Sequence, residues 1–85
     1  MLSTAEIKER IVEQITETLE DVGVVIPGLS GSEELNALGV SSMTYARLVL
    51  RLEAEFGVEA FSGAEQPPHV RTVDDLVDSF ARAIV

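Results

Sequence analysis

Two adjacent serines, Ser41 and Ser42, follow the glycine turn Leu38-Gly39-Val40 and stand directly ahead of the breaker-free run MTYARLVLRLEAEF. That order presents a hydroxyl at a helix start, where unpaired backbone N–H groups and the positive end of the helix dipole favour a negative group. A phosphoester at the hydroxyl is one chemistry such a position suits; a plain N-cap is the other and commoner reason for serine there. The remaining candidates have less behind them. Ser41 or Ser42 with His69 and a carboxylate could be drawn as a hydrolase triad, but there is no G-x-S-x-G elbow and the chain is too short to enclose a pocket around one. With no cysteine and one histidine, the chain has neither a thiolate nor a histidine cluster for zinc, and its acids lack the spacing of a calcium loop. His69, behind Pro67-Pro68, reads as a surface residue without a role.

The 85 residues are one domain's worth of chain, so residues 1-85 are expected to form a single free-standing unit. A composition 46% hydrophobic and 25% charged can bury a core. Fifteen acids against six bases give a net charge of -9, which repels phosphate backbones and anionic headgroups. Nucleic acid and membrane are therefore poor partner expectations. The opening MLSTAEIKER has no basic region followed by an apolar stretch, and no apolar run has the length of a bilayer span, so a soluble, cytoplasmic, monomeric protein is expected.

Three helices must position the serines. Ser3 and Glu6 have the S-x-x-E spacing of a capping box, which predicts a helix from about Thr4 until Gly23 stops it. Ile7, Ile11, Val12, Ile15, Leu19 and Val22 recur along it at helical spacing, opposite an acidic face. A long connection rich in glycine follows to residue 40. Val24-Val25-Ile26 is read as loop, Ile26, Leu29, Leu35 and Leu38 as its apolar pins, and Ser32 to Leu38 as room for a helical turn. The second helix should start at Ser41 or Ser42, run to about Phe56 and stop at Gly57. Its apolar residues, Met43, Ala46, Leu48, Val49, Leu50, Leu52 and Phe56, exceed one stripe, which predicts the central helix of the bundle. A short turn around Ser62 to Gln66 is expected before the prolines. A final helix, capped by Thr72 with Asp75, then buries Val73, Leu76, Val77, Phe80 and Ile84. The fold class is thus all-α, a four-helix bundle with a long first loop and a short third helix.

In layout the chain resembles the acyl carrier protein family over nearly its full length. The resemblance is carried by Leu38, Gly39, Ser42, Met43, Leu48, Val49, Leu52, Glu53, Glu55 and Phe56, and by Thr72, Val73 and Leu76 near the end. It implies that Ser42 is the attachment serine, esterified with 4'-phosphopantetheine by a phosphopantetheinyl transferase that uses coenzyme A and magnesium. It also implies a non-catalytic carrier. The thiol of the arm would hold an acyl, aminoacyl or ketide group as a thioester for an acyltransferase, a ketosynthase or an adenylating ligase, at raised effective concentration. Where family members usually have Asp before the modified serine, this chain has Ser41. Where those built for fatty acid synthesis present acids on the second helix, it has Thr44, Arg47 and Arg51.

Ser41, Met43, Thr44, Arg47, Leu50 and Arg51 are accordingly the expected partner-docking residues, with Tyr45 beside Met43 as a further apolar contact; for Met43 and Tyr45 core packing is the plain alternative. Arg47 and Arg51 lie one turn apart, forming either a reversed-charge partner surface or a solvated face paired internally, for example Arg51 with Glu55. The atypical second helix inclines the expectation toward polyketide or aminoacyl biosynthesis, antibiotic pathways included, over fatty acid biosynthesis. The competing class is an unmodified carrier-like module that acts by protein binding alone.

Overall fold

The computed structural model describes residues 2–26, 28–58 and 70–84. Among them are three α-helices, α1 (Thr4–Asp21), α2 (Ser42–Phe56) and α3 (Val73–Ile84), a 3-10 turn at Asn36–Leu38 and no strand. The all-helical expectation holds. The expected third short helix and His69 lie outside the described residues.

Each helix is bounded by the local chemistry its flanks supply. Ser3 accepts a hydrogen bond from the Glu6 N–H at 3.2 Å, and the Ser3 N–H donates back to the Glu6 carboxylate at 3.3 Å, completing the box. At the other end Gly23 has φ +85°, and the N–H groups of Val24 and Gly23 donate to the carbonyls of Leu19 and Glu20 at 2.8 and 3.0 Å. Those two bonds form a Schellman motif, which a residue with a Cβ would strain. Gly57, φ +68°, also ends α2 in the left-handed conformation, with its own N–H and that of Val58 both on the Glu53 carbonyl, the latter at 3.2 Å. Thr72 and Asp75 cap α3 reciprocally, Asp75 N–H to Thr72 Oγ1 and Thr72 N–H to Asp75 Oδ2, both at 3.1 Å.

The core is one cluster: Ile7, Ile11, Ile15 and Leu19 from α1, Leu48, Val49 and Leu52 from α2, and Val73, Leu76, Val77 and Phe80 from α3. Each such side chain removed from water contributes roughly 1.5–3 kcal/mol before chain entropy is counted. The central helix is α1, which packs along both α2 and α3. The latter two meet where the Phe56 and Phe80 rings stand 5.7 Å apart. This corrects the expectation that α2 occupies the centre. Its apolar surplus is exposed instead, Met43 at 80% and Leu50 at 67%. Val22, expected in the core, is about half exposed, because the Schellman turn carries the chain away from the bundle there.

The long loop is pinned as expected by Leu35, which is buried, and by Ile26, Leu29 and Leu38, which pack on the core. Val24 to Ile26 form no strand. Backbone bonds add a second anchor: Leu35 N–H to the Arg71 carbonyl at 2.8 Å, Val73 N–H to Glu33 at 3.1 Å and Asp74 N–H to Gly31 at 2.9 Å. Together they stitch the loop to the start of α3, with an isolated antiparallel bridge between Glu34 and Thr72. A lattice of N–H donors also fixes Glu33. Its carboxylate accepts from Ser30 N–H at 2.8 Å and Gly31 N–H at 2.7 Å, and these bonds hold its pKa down at about 2.

Candidate functional site

The chain reaches the serine pair through the 3-10 turn. Gly39 takes the left-handed conformation, φ +92°, and its N–H bonds the Asn36 carbonyl at 3.2 Å. Val40 then buries its side chain and donates its N–H to Leu35 at 3.1 Å. With Val40 held in the core, the next two residues emerge on the surface.

The two serines divide the work between them. Ser41 is the N-cap, extended at φ −75° and ψ 171°. Its Oγ accepts the Thr44 N–H at 3.2 Å and lies 3.1 Å from the Thr44 hydroxyl, to which it donates, while its carbonyl takes the Tyr45 N–H at 2.8 Å. Ser42 is the first helical residue, exposed, and its hydroxyl has no hydrogen-bond partner among the described residues. A neighbour that caps thus leaves Ser42 a free hydroxyl within the positive field of the helix start, where a phosphoester's charge is favoured. These features fit a covalently attached phosphate group.

From Ser42 along α2, Met43, Arg47, Leu50 and Ala54 are all exposed and recur at helical spacing, so they share a face. Thr44 is half-buried beside the cap. Arg47 forms no ion pair among the described residues. Arg51 does: its guanidinium donates to Asp21 at 2.6 Å and to Thr18 Oγ1 at 3.1 Å, tying α2 to α1. Glu55, the partner suggested for it by spacing, pairs with Arg10 at 3.6 Å instead.

Of the two places open to Tyr45, partner contact or core, the structure puts it in the core: it is 9% exposed, and its burial pushes the phenol up to about 12. The signal was present in the sequence. Tyr45 is in helical register with Leu48, Val49 and Leu52, the residues α2 buries, and one turn from Ser41. Together with Ser41 and Ser42 it lines a pocket between α2, the loop and the chain entering α3.

Among the described residues no three His, Asp or Glu side chains converge as metal ligands, and no helix is long and apolar enough to cross a membrane. A protein-family model described as a phosphopantetheine attachment site matches residues 9–63, which is most of the chain and includes the whole of α2. No curated protein and no solved structure matches.

Proposed function

The chain belongs to the family of phosphopantetheine-bearing carrier proteins, and from that premise we propose that it is a discrete, non-catalytic carrier whose arm is attached at Ser42. Its cofactor is 4'-phosphopantetheine, held covalently as in the family. The observation that supports Ser42 is its free, exposed hydroxyl at the first position of α2, beside a serine already committed to capping. In the loading step a transferase places coenzyme A against this hydroxyl. The Ser42 oxygen forms a bond to the phosphorus of the phosphopantetheinyl group, the pyrophosphate P–O bond breaks, adenosine 3',5'-bisphosphate leaves, and the serine proton passes to a base. Once attached, the arm supplies a thiol that holds acyl groups as thioesters.

The chain's own residues place and present the arm. Val40 in the core and the loop bonds to α3 fix the serine turn, and the first N–H groups of α2 favour the phosphoester's charge. Met43, Arg47 and Leu50, with Ser41 and Thr44 at the helix start, form the docking face for the transferase and acyl-handling enzymes. Arg51 sits at its edge, engaged with Asp21. A cationic residue on an apolar stripe suits a partner with an acidic rim. That fits enzymes of polyketide or aminoacyl biosynthesis dedicated to this carrier, working with it as a cytoplasmic monomer.

The test is intact mass before and after incubation with a broad-specificity phosphopantetheinyl transferase, magnesium and coenzyme A, with Ser42→Ala alongside. A gain of one phosphopantetheine that vanishes in the variant is expected. Undiminished loading of Ser42→Ala would place the arm elsewhere. No gain in the parent, with none after Ser41→Asp, would leave a carrier fold that acts by binding alone.

A further inference from the structure

Of the six basic side chains in the sequence, Lys8 is the only lysine; the others, Arg10, Arg47, Arg51, Arg71 and Arg82, are arginine. There is also no cysteine. For a protein that carries thioesters this composition has a chemical consequence, because amines and thiolates are the side chains that attack an acyl carbonyl readily. A lysine with an ordinary pKa of about 10.4 is about 4% free amine at pH 9. A guanidinium stays protonated and has no lone pair to offer. The structure puts arginine where a tethered acyl group would pass. Arg47 is exposed five positions along α2 from Ser42, a rise of about 7.5 Å, and the extended arm is longer than that. Arg71 borders the same pocket as Ser42, its guanidinium on Glu34 at 3.0 Å. The one lysine is engaged elsewhere: Lys8 pairs with Asp74 at 3.2 Å, where α1, the loop at Gly31 and α3 meet.

We propose that arginine in place of lysine around Ser42 protects the cargo: the cationic surface within reach of the arm attracts acidic partners as lysine would, but offers no nucleophile, so the carrier does not acylate itself. The inference rests on the reading of Ser42 as the attachment residue. In the reaction that is avoided, an amine nitrogen attacks the thioester carbonyl, a C–N bond forms and the C–S bond breaks. The thiol of the arm leaves with the proton the amine gives up, and the acyl group is fixed on the chain as an amide. Nothing is oxidised or reduced, and no further reactant is needed. Tethering favours this loss, since an amine on the same chain meets the acyl group at an effective concentration on the order of millimolar. Arginine and lysine carry the same charge, and only lysine becomes a nucleophile by losing its proton.

The experiment installs the missing amine. Arg47→Lys does so at the arginine itself. Ala46→Lys does so at an exposed position one turn from Ser42 and outside the docking residues, with Ala46→Arg as its partner of equal charge. The parent and the three variants are loaded to completion from acetyl-coenzyme A with a broad-specificity transferase and magnesium, checked by mass, and held at pH 9. Hydroxylamine cleaves thioesters and spares amides, so intact mass after that treatment reads the acetyl groups that have moved to nitrogen, and peptide mapping locates them. Both lysine variants should accumulate the resistant acetyl group at least about tenfold faster than the parent and Ala46→Arg, at the substituted position and at a rate unchanged by tenfold dilution. Lysine variants no faster than the parent, a rate that falls on dilution, or equally fast transfer to Lys8 in the parent overturns the proposal while leaving Ser42 as the attachment residue. Failure of the protein to gain the arm's mass overturns the Ser42 reading and this inference together.

Discussion

Charge reversal at Arg47 and at Arg51 should have opposite consequences, although the two residues stand one turn apart on one helix. Arg51 bonds Asp21 at 2.6 Å and Thr18 at 3.1 Å, its side chain 36% exposed and that of Asp21 49%. An ion pair this open to solvent contributes about 0.2–1 kcal/mol. Thr18 is buried at 1% exposure, so withdrawing its donor adds about 1 kcal/mol. Arg51→Glu also sets a carboxylate against Asp21, and the sum is about 1.5–3 kcal/mol. In an 85-residue domain that lowers Tm by at least about 6 °C. Arg47→Glu touches none of these contacts and should stay within about 0.5 kcal/mol of the parent. In loading assays the order reverses: Arg47→Glu should slow transfer to an acidic-rimmed partner, most at low ionic strength, while its fold persists. Thermal melts of both variants beside loading rates at two salt concentrations check this. If Arg51→Glu melts with the parent while Arg47→Glu unfolds early, the assignment of one arginine to the fold and the other to the partner is wrong.

Two further predictions concern the loop that carries the site. Glu33 has a folded-state pKa of about 2 against an ordinary 4.5, so it stabilises the fold above pH 4.5, and that contribution is lost as pH falls toward 2. Glu33→Gln should therefore flatten the dependence of Tm on pH in that window, leaving the part due to Glu6 and Asp75, which are lowered too; a slope equal to the parent's refutes this. Gly31→Ala should destabilise by more than about 1 kcal/mol, because φ is +121° and the added Cβ would run into Asp74 Oδ1 and the Lys8 ammonium, which pair at 3.2 Å. Its denaturant midpoint beside that of Gly28→Ala, where open space surrounds the new Cβ, separates the clash from a general effect of losing glycine.

Much of this molecule is determined by interactions that reach no further than one helical turn, and those were legible. Ser3 with Glu6, Thr72 with Asp75, and glycines at 23 and 57 mark where helices begin and end, since a cap bonds a backbone group only three to five residues away. The same locality placed Ser41 and Ser42 at the start of α2, while the sequence left open which of them caps. Periodicity identified the buried faces of α1 and α3 nearly residue by residue.

What the residues alone could not decide is which helix covers which surface. An apolar excess on α2 is compatible with a central helix or with an exposed docking face, because periodicity gives the width of a stripe and not what lies against it. Packing α1 between α2 and α3 resolved it, leaving Met43 and Leu50 in water and drawing Tyr45 beneath the serine turn. Arg51 shows the same limit for charge. Glu55 is its neighbour by spacing, but Asp21, 30 positions back in the chain, is its partner in space. Long side chains choose among charges by three-dimensional distance, and that distance exists only once the helices have packed.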